Sequence, residues 1–366
     1  MQGWSATLAA TFLYAAQAAA FDWALVKSDG RDYVPLQDVA RFYNFSQADY
    51  SDNHLQLGNA GLRMQGSVNS RELYLNGLKF ILSFPLVSLE GRPMISRIDL
   101  SKLVEPVLRP ARIQTAPVRT VVLDAGHGGF DQGARSVRGS EKDYTLDVVL
   151  RARELLQNAG YNVRLTRSAD VFIPLELRAL FASHQTGAIF VSVHFNAGLR
   201  EEAEGIETYC LAPRGVPSSN DTGLTFTDFR PCPGNAFDSE NIALATAMHT
   251  AMITRLGLGD RGIKRARFVV LRDNMLPGVL IEGGFLTNAS DELRVAEPAF
   301  RQGLAKAILQ GVQLYSRAVE HGVGSPPATF ARSGAVTPGG AGGEKPADVW
   351  TPFSTDVYAL PDETRR

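Results

Sequence analysis

Cysteine is nearly absent from this 366-residue chain, with only Cys210 and Cys232 present. A disulfide-stapled scaffold is therefore excluded, although one bridge across the loop between them stays open beside two free thiols. The pair is no convincing metal site either, since no Cys or His stands beside either residue. No apolar run reaches the roughly 18 residues of a spanning helix, which argues against membrane attachment. No basic stripe interrupts a formal net charge of -1, so nucleic acid is not an expected partner. What remains is an ordinary globular composition, 45% hydrophobic and 20% charged, in a chain long enough for two or three domains and a sizeable core.

The first twenty residues stand apart. An apolar stretch from Leu8 to Ala16 precedes Ala18-Ala19-Ala20 and then Phe21-Asp22. That is similar to a secretory signal with an Ala-x-Ala cleavage site, although no Lys or Arg precedes the apolar stretch. The expectation is a signal segment over 1–20 and an exported chain, in the periplasm or cell wall. From 321 to 348 the composition turns to Gly, Pro, Ser and Ala; 349–366 carries some apolar residues that could dock on a partner, but the whole of 321–366 is expected to be a flexible tail.

Residues 21–117 carry an internal repeat. Gly30-Arg31 leads into Tyr33-Val34 and Asp38, and Gly91-Arg92 leads into Met94-Ile95 and Asp99 at the same spacing. Each copy reads as a glycine turn, a strand and an Asp suited to a short helix start. Between the copies, Asn76-Gly77 sits among alternating apolar residues, a hairpin signal. These features predict a small α+β domain, structural or wall-targeting, with a proline-bounded connector from Arg109-Pro110 to Pro117.

From 118 to 320 strands and helices alternate. The apolar run Val121–Leu123 breaks into Asp124-Ala125-Gly126-His127-Gly128-Gly129, and a helix opens at Ser140-Glu141. Further strands are expected at 162–166, 188–196, 205–211, 268–271 and 279–281. Helices are expected after Pro174, over about 239–256 and over about 297–320. This alternation predicts an α/β domain, a mainly parallel sheet with helices on both faces, and such sheets bind ligands outside the carboxyl ends of their strands. Residues 212–238, rich in Pro, Gly, Ser and Asp, interrupt the pattern and are expected to form a groove wall, a lid or a disordered loop. Whether that loop inhibits the site until an activator protein binds stays open.

His127, Glu141 and His194 form a dispersed two-imidazole, one-carboxylate set near strand ends, which is the composition of a catalytic zinc site with one open position. Glu282 follows the apolar strand 278–281. A lone carboxylate there needs a metal, a cation such as Arg167 or Arg272, or a task in proton transfer. Asp124 could support a ligand imidazole or cap its own turn. His184, His249 and His321 have the spacing of helix-end, packing and tail residues.

VVLDAGHGG, the Glu141 of GSEKD, LTR at 165–167, FVSVHFNA, GIETY, RGIKRARFVVLR and GVLIEGGFLTN lie in order over about 121–314. Together they resemble the zinc-dependent N-acetylmuramoyl-L-alanine amidases of the amidase type 3 family. The resemblance implies that His127, Glu141 and His194 bind one zinc ion and that Glu282 is catalytic. It implies hydrolysis of the amide between N-acetylmuramic acid and the L-alanine of the peptide stem, with peptidoglycan as partner, in cell separation or wall turnover. Asn196 and Arg167 are candidate substrate-binding residues. Residues 21–117 are similar to the N-terminal domain named after copper amine oxidases, without copper-ligand spacing. A non-catalytic wall-binding or regulatory protein on the same fold, or another zinc-dependent cell-wall hydrolase, is the alternative.

Overall fold

The structure, a computed structural model, describes residues 21–51 and 53–320. The segments expected to be a signal and a tail, 1–20 and 321–366, lie outside the described residues.

The N-terminal region contributes β1 (Val26–Ser28), β2 (Arg31–Pro35), β3 (Gln47–Asp49), β4 (His54–Gly58), β5 (Arg63–Ser67), β6 (Glu72–Leu75), β7 (Leu78–Ile81), β8 (Val87–Leu89) and β9 (Arg92–Ser96). The internal repeat is visible in three dimensions. β2 and β9 are antiparallel neighbours at the centre of a small sheet ordered β1-β2-β9-β8. Each is entered through a left-handed turn, Asp29-Gly30 or Glu90-Gly91, and leads into a short helix. In the second copy Ser96 caps the helix by accepting the Asp99 N–H at 3.1 Å. Asp99 itself points inward and accepts the Ser83 and Phe84 N–H groups, which ties the helix to the chain after β7. Asn76-Gly77 forms the expected tight hairpin between β6 and β7, both residues with positive φ.

The second region builds β10 (Thr120–Ala125), β11 (Asn162–Leu165), β12 (Ala188–Asn196), β13 (Ile206–Leu211), β14 (Asp260–Ala266) and β15 (Gly278–Phe285). Their order is β11-β10-β12-β15-β13-β14, and every pairing is parallel except β13 with β15. The sheet is thus mainly parallel, as expected, with a reversed pair at one side. It does not stop at β14: Ile263 bridges Phe80, so β7 and the strands before it extend the same sheet. Asp260 reinforces that seam, accepting the Lys79 N–H at 3.0 Å and bonding His249 Nε2 at 2.8 Å. Buried His249 therefore does more than pack; it also bonds Thr208 through Nδ1.

Strand periodicity sorts side chains onto two faces. Val121, Leu123, Ile189, Val191 and Val193 join the helices 141–158, 238–256 and 298–320 in the larger core. Val122, Phe190, Tyr209, Leu211 and Leu280 form a smaller core with Ala182, Val270 and Leu271. The short helices Leu175–Ser183 and Val269–Arg272, with Leu276 and Cys232, cover this second face. Its carboxyl end is left open, and that opening positions the site.

Two expectations need correcting. Residues 268–271 do not form a strand, because Val269–Arg272 is a helical turn whose Val270 and Leu271 pack inward. The strand expected there lies earlier, at β14, where Arg265 is buried and donates to Leu211 O and Lys102 O. The 212–238 loop is held rather than loose. Arg267 donates to Pro213 O, Val216 O and Asp228 O, and Asn235 donates to Ala212 O. Cys210 and Cys232 are free thiols, the first buried and the second hydrogen-bonded to Asn235.

Candidate active site

β10 ends at Ala125, and the next residue must pass directly beneath a side chain of β12. A Cβ at Gly126 would lie 2.3 Å from His194 Cε1, so no larger residue fits. His127 follows with φ 60°, a left-handed conformation costly for any residue with a Cβ. Arg178, almost wholly buried, holds it there. Its guanidinium donates to His127 O at 2.6 Å and Ala125 O at 2.6 Å, and pairs with Asp124 Oδ1 at 2.8 Å. Asp124 also accepts from Thr166 and Ser192. Burial opposes its ionisation, but Arg178 and these hydroxyls hold its carboxyl below the ordinary range. Asp124 therefore bonds neither imidazole; it anchors the arginine that fixes the loop.

Glu141 is the first residue of the helix Glu141–Asn158, and its carboxylate turns back into the loop. Oε1 lies 3.0 Å from His127 Nε2 and 2.9 Å from His194 Nδ1. The same oxygen accepts the Phe195 N–H at 3.1 Å, and Oε2 accepts the Ala134 N–H at 2.8 Å. Burial again works against the charge, yet the hydrogen bonds from His127 and His194 keep this carboxyl well below its usual range. One potential ligand atom from each of His127, Glu141 and His194 lies within 4.8 Å of the others. Two imidazole nitrogens and a carboxylate oxygen so placed fit a borderline divalent cation such as zinc.

Asp131 was not singled out from the sequence. It bonds His127 Nδ1 at 2.9 Å and accepts the Gly133 N–H through its other oxygen. A proton on Nδ1 leaves Nε2 free as a ligand, the usual outer support of a metal-bound histidine. The spacing of four from His127 was the available signal. Asp131→Asn should weaken metal retention by roughly 10–100-fold while leaving the fold intact. Competition with a chelating dye checks this; unchanged affinity would remove Asp131 from the site.

Glu282 stands in register between His194 on β12 and Glu207 on β13. Its Oε2 is buried and has no hydrogen-bond partner. Neither arginine considered as a partner reaches it: Arg272 pairs with Asp273. Burial, then the charges of Glu141 and Glu207, push its carboxyl well above the ordinary range. The expected substrate role of Arg167 gives way to a structural one. Arg167 is buried and donates to Ala125 O, Gly126 O, Lys142 O and Ala169 O. Asn196 lines the cleft, with Nδ2 donating to Glu207 at 3.1 Å and Oδ1 accepting the Ala197 N–H.

His127, Glu141, His194 and Glu282 open into one cleft of about 740 Å³. Its apolar walls come from Phe172, Ile173 and Leu175 on one side and Phe268 to Val270 on the other. No residue of 212–238 lines it, so that loop is not its wall.

A mainly parallel sheet whose carboxyl rim carries a cluster able to hold a metal ion, next to an unpaired carboxylate in an open cleft, is the arrangement of a hydrolase. The chain belongs to the N-acetylmuramoyl-L-alanine amidase family, whose profile matches residues 121–314. It is 33% identical over 243 residues to N-acetylmuramoyl-L-alanine amidase AmiA of Escherichia coli (strain K12), covering 60% of this chain and 84% of that protein. With N-acetylmuramoyl-L-alanine amidase AmiC of Neisseria meningitidis serogroup B it shares 32% over 249 residues, 62% of this chain and 59% of that one. Among solved structures, the catalytic domain of CwlV, an N-acetylmuramoyl-L-alanine amidase from Bacillus (Paenibacillus) polymyxa, is 31% identical with a TM-score of 0.46, covering 54% of this chain and 98% of that one.

Proposed function

We propose that this protein is a peptidoglycan amidase, hydrolysing the amide that joins the lactyl group of N-acetylmuramic acid to the L-alanine of the peptide stem. His127, Glu141 and His194 would hold one zinc ion, which when bound polarises a carbonyl and lowers the pKa of water. Asp131 keeps His127 in the ligating tautomer, and Arg178 keeps its backbone in place. Glu282 takes the proton from the water that attacks the carbonyl carbon. It then returns that proton to the amide nitrogen as the carbon–nitrogen bond breaks, leaving a lactyl carboxylate and a free L-alanine amine. A carboxyl with one buried oxygen and raised proton affinity suits both halves of that exchange. Asn196, on the cleft wall, is the proposed substrate contact.

The observation that carries this reading is the unpartnered Glu282 Oε2 in the same cleft as the imidazole–carboxylate cluster. Export to the periplasm or cell wall belongs to the proposal on the composition of residues 1–20, and among the described residues no helix is long and apolar enough to cross a membrane. Residues 21–117 are proposed as a wall-targeting module. An activator protein is a further proposed partner.

Digestion of purified peptidoglycan tests the reaction. The expected products are free stems with L-alanine at the N-terminus, abolished by a chelator and restored by zinc. Cleavage within the stem, deacetylated sugars, or no product would overturn it.

A further inference from the structure

Glu207 has no task in the mechanism above, yet it is buried beside the group that does the chemistry. In the antiparallel β13–β15 ladder it pairs directly with Glu282, so the two side chains rise from the same face of the sheet. Paired Cβ atoms in such a ladder lie about 4.5–5.5 Å apart. Two carboxylates at that spacing repel, and each would normally be replaced or bridged.

Here Glu207 is saturated from its other sides. Oε1 accepts from Arg261 Nε at 2.7 Å and Lys264 Nζ at 2.5 Å. Oε2 accepts from Tyr209 Oη at 2.7 Å and Asn196 Nδ2 at 3.1 Å. These four donors are thereby drawn to Glu207, while Glu282 Oε2 is left without one. An ionised carboxylate can only accept hydrogen bonds. Neither Glu207 oxygen bonds Glu282, and the charge at 207 repels an ionised neighbour.

We propose that Glu207 is a positioning residue: it sequesters Arg261, Lys264, Tyr209 and Asn196 so that Glu282 Oε2 stays unbonded and available to the reacting amide. This rests on Glu282 being the proton-transferring group. The prediction is that an isosteric change is more damaging than its size implies. Glu207→Gln places an amide donor next to Glu282 and frees a cation to pair with it. Either contact would hold the Glu282 carboxylate away from the substrate.

The test compares Glu207→Gln, Glu207→Asp and Lys264→Met with wild type for kcat, KM, bound metal, melting temperature and crystal structure. For Glu207→Gln the expected result is kcat lower by roughly 10-fold or more, with metal content unchanged and the protein folded at the assay temperature. Its structure should show Glu282 hydrogen-bonded to the new amide, to Lys264 or to Arg261. Glu207→Asp and Lys264→Met both keep an acceptor-only carboxylate at 207, and should hold kcat within about threefold of wild type. The inference is overturned if Glu207→Gln keeps wild-type kcat, or if the loss tracks metal content or melting temperature. It is also overturned if Glu207→Asp or Lys264→Met loses as much. Should Glu207→Gln not fold, these two variants decide the matter. If the wild-type protein releases no stems, the amidase reading fails, while the position of the Glu282 carboxylate in the variant structure still tests this one.

Discussion

Replacing Glu282 by Gln should lower kcat by about 10³-fold, in the middle of what positioned acid–base groups contribute. The substitution keeps the shape of the side chain and removes only its ability to carry a proton. KM and metal content should stay within about twofold, because none of the three candidate ligands is touched. Stability should move the other way. The carboxylate is buried without a partner for Oε2 and lies close to the charges of Glu141 and Glu207. Gln keeps the shape and cannot ionise, so the cost of charging this group beside Glu141 and Glu207 disappears and the melting temperature should hold or rise. An inactive variant that is at least as stable as wild type marks a residue kept for chemistry. If Glu282→Gln turns over at the wild-type rate, the assigned acid–base role is wrong.

The second large effect is expected at Glu141, where the metal cluster and the local fold meet. Glu141→Ala deletes one ligand and leaves the Phe195 N–H, which its carboxylate accepts at 3.1 Å, without a partner. An orphaned buried donor costs about 1–3 kcal/mol, or very roughly 2–12 °C in melting temperature for a domain of this size. The two imidazoles also lose the group that draws them together. Bound metal should fall below detection and activity with it. Glu141→Gln separates the two contributions, because its amide oxygen can still accept the backbone N–H. It should recover most of the stability and little of the metal. If Glu141→Ala retains stoichiometric metal by elemental analysis, Glu141 is not a ligand.

Much of this site was legible because its residues sit where strands end. The glycines around His127 marked a break after an apolar strand, and 188–196 and 278–281 were apolar enough to identify β12 and β15 and so to place His194 and Glu282. The parts that were not legible depend on partners distant in sequence. Arg167 ends a strand like a rim residue, but backbone carbonyls from the loop and the next helix consume its guanidinium. Asp124 looked like support for an imidazole, and only the fold brings Arg178 against it. β14 was hidden because DRGIKRA is charged, with Lys264 and Arg265 paired to groups on other elements. The apolar stretch at 268–271 was too short for periodicity to separate strand from helix. Glu207 read as an ordinary strand residue, since its importance lies in register with β15.

The most direct test of the account is to locate the metal itself. A crystal of the zinc-loaded protein, measured at the zinc absorption edge, should show one anomalous peak bonded to His127, Glu141 and His194, with the Glu282 carboxylate alongside and not a ligand. A peak elsewhere, or none at full occupancy in solution, would contradict it.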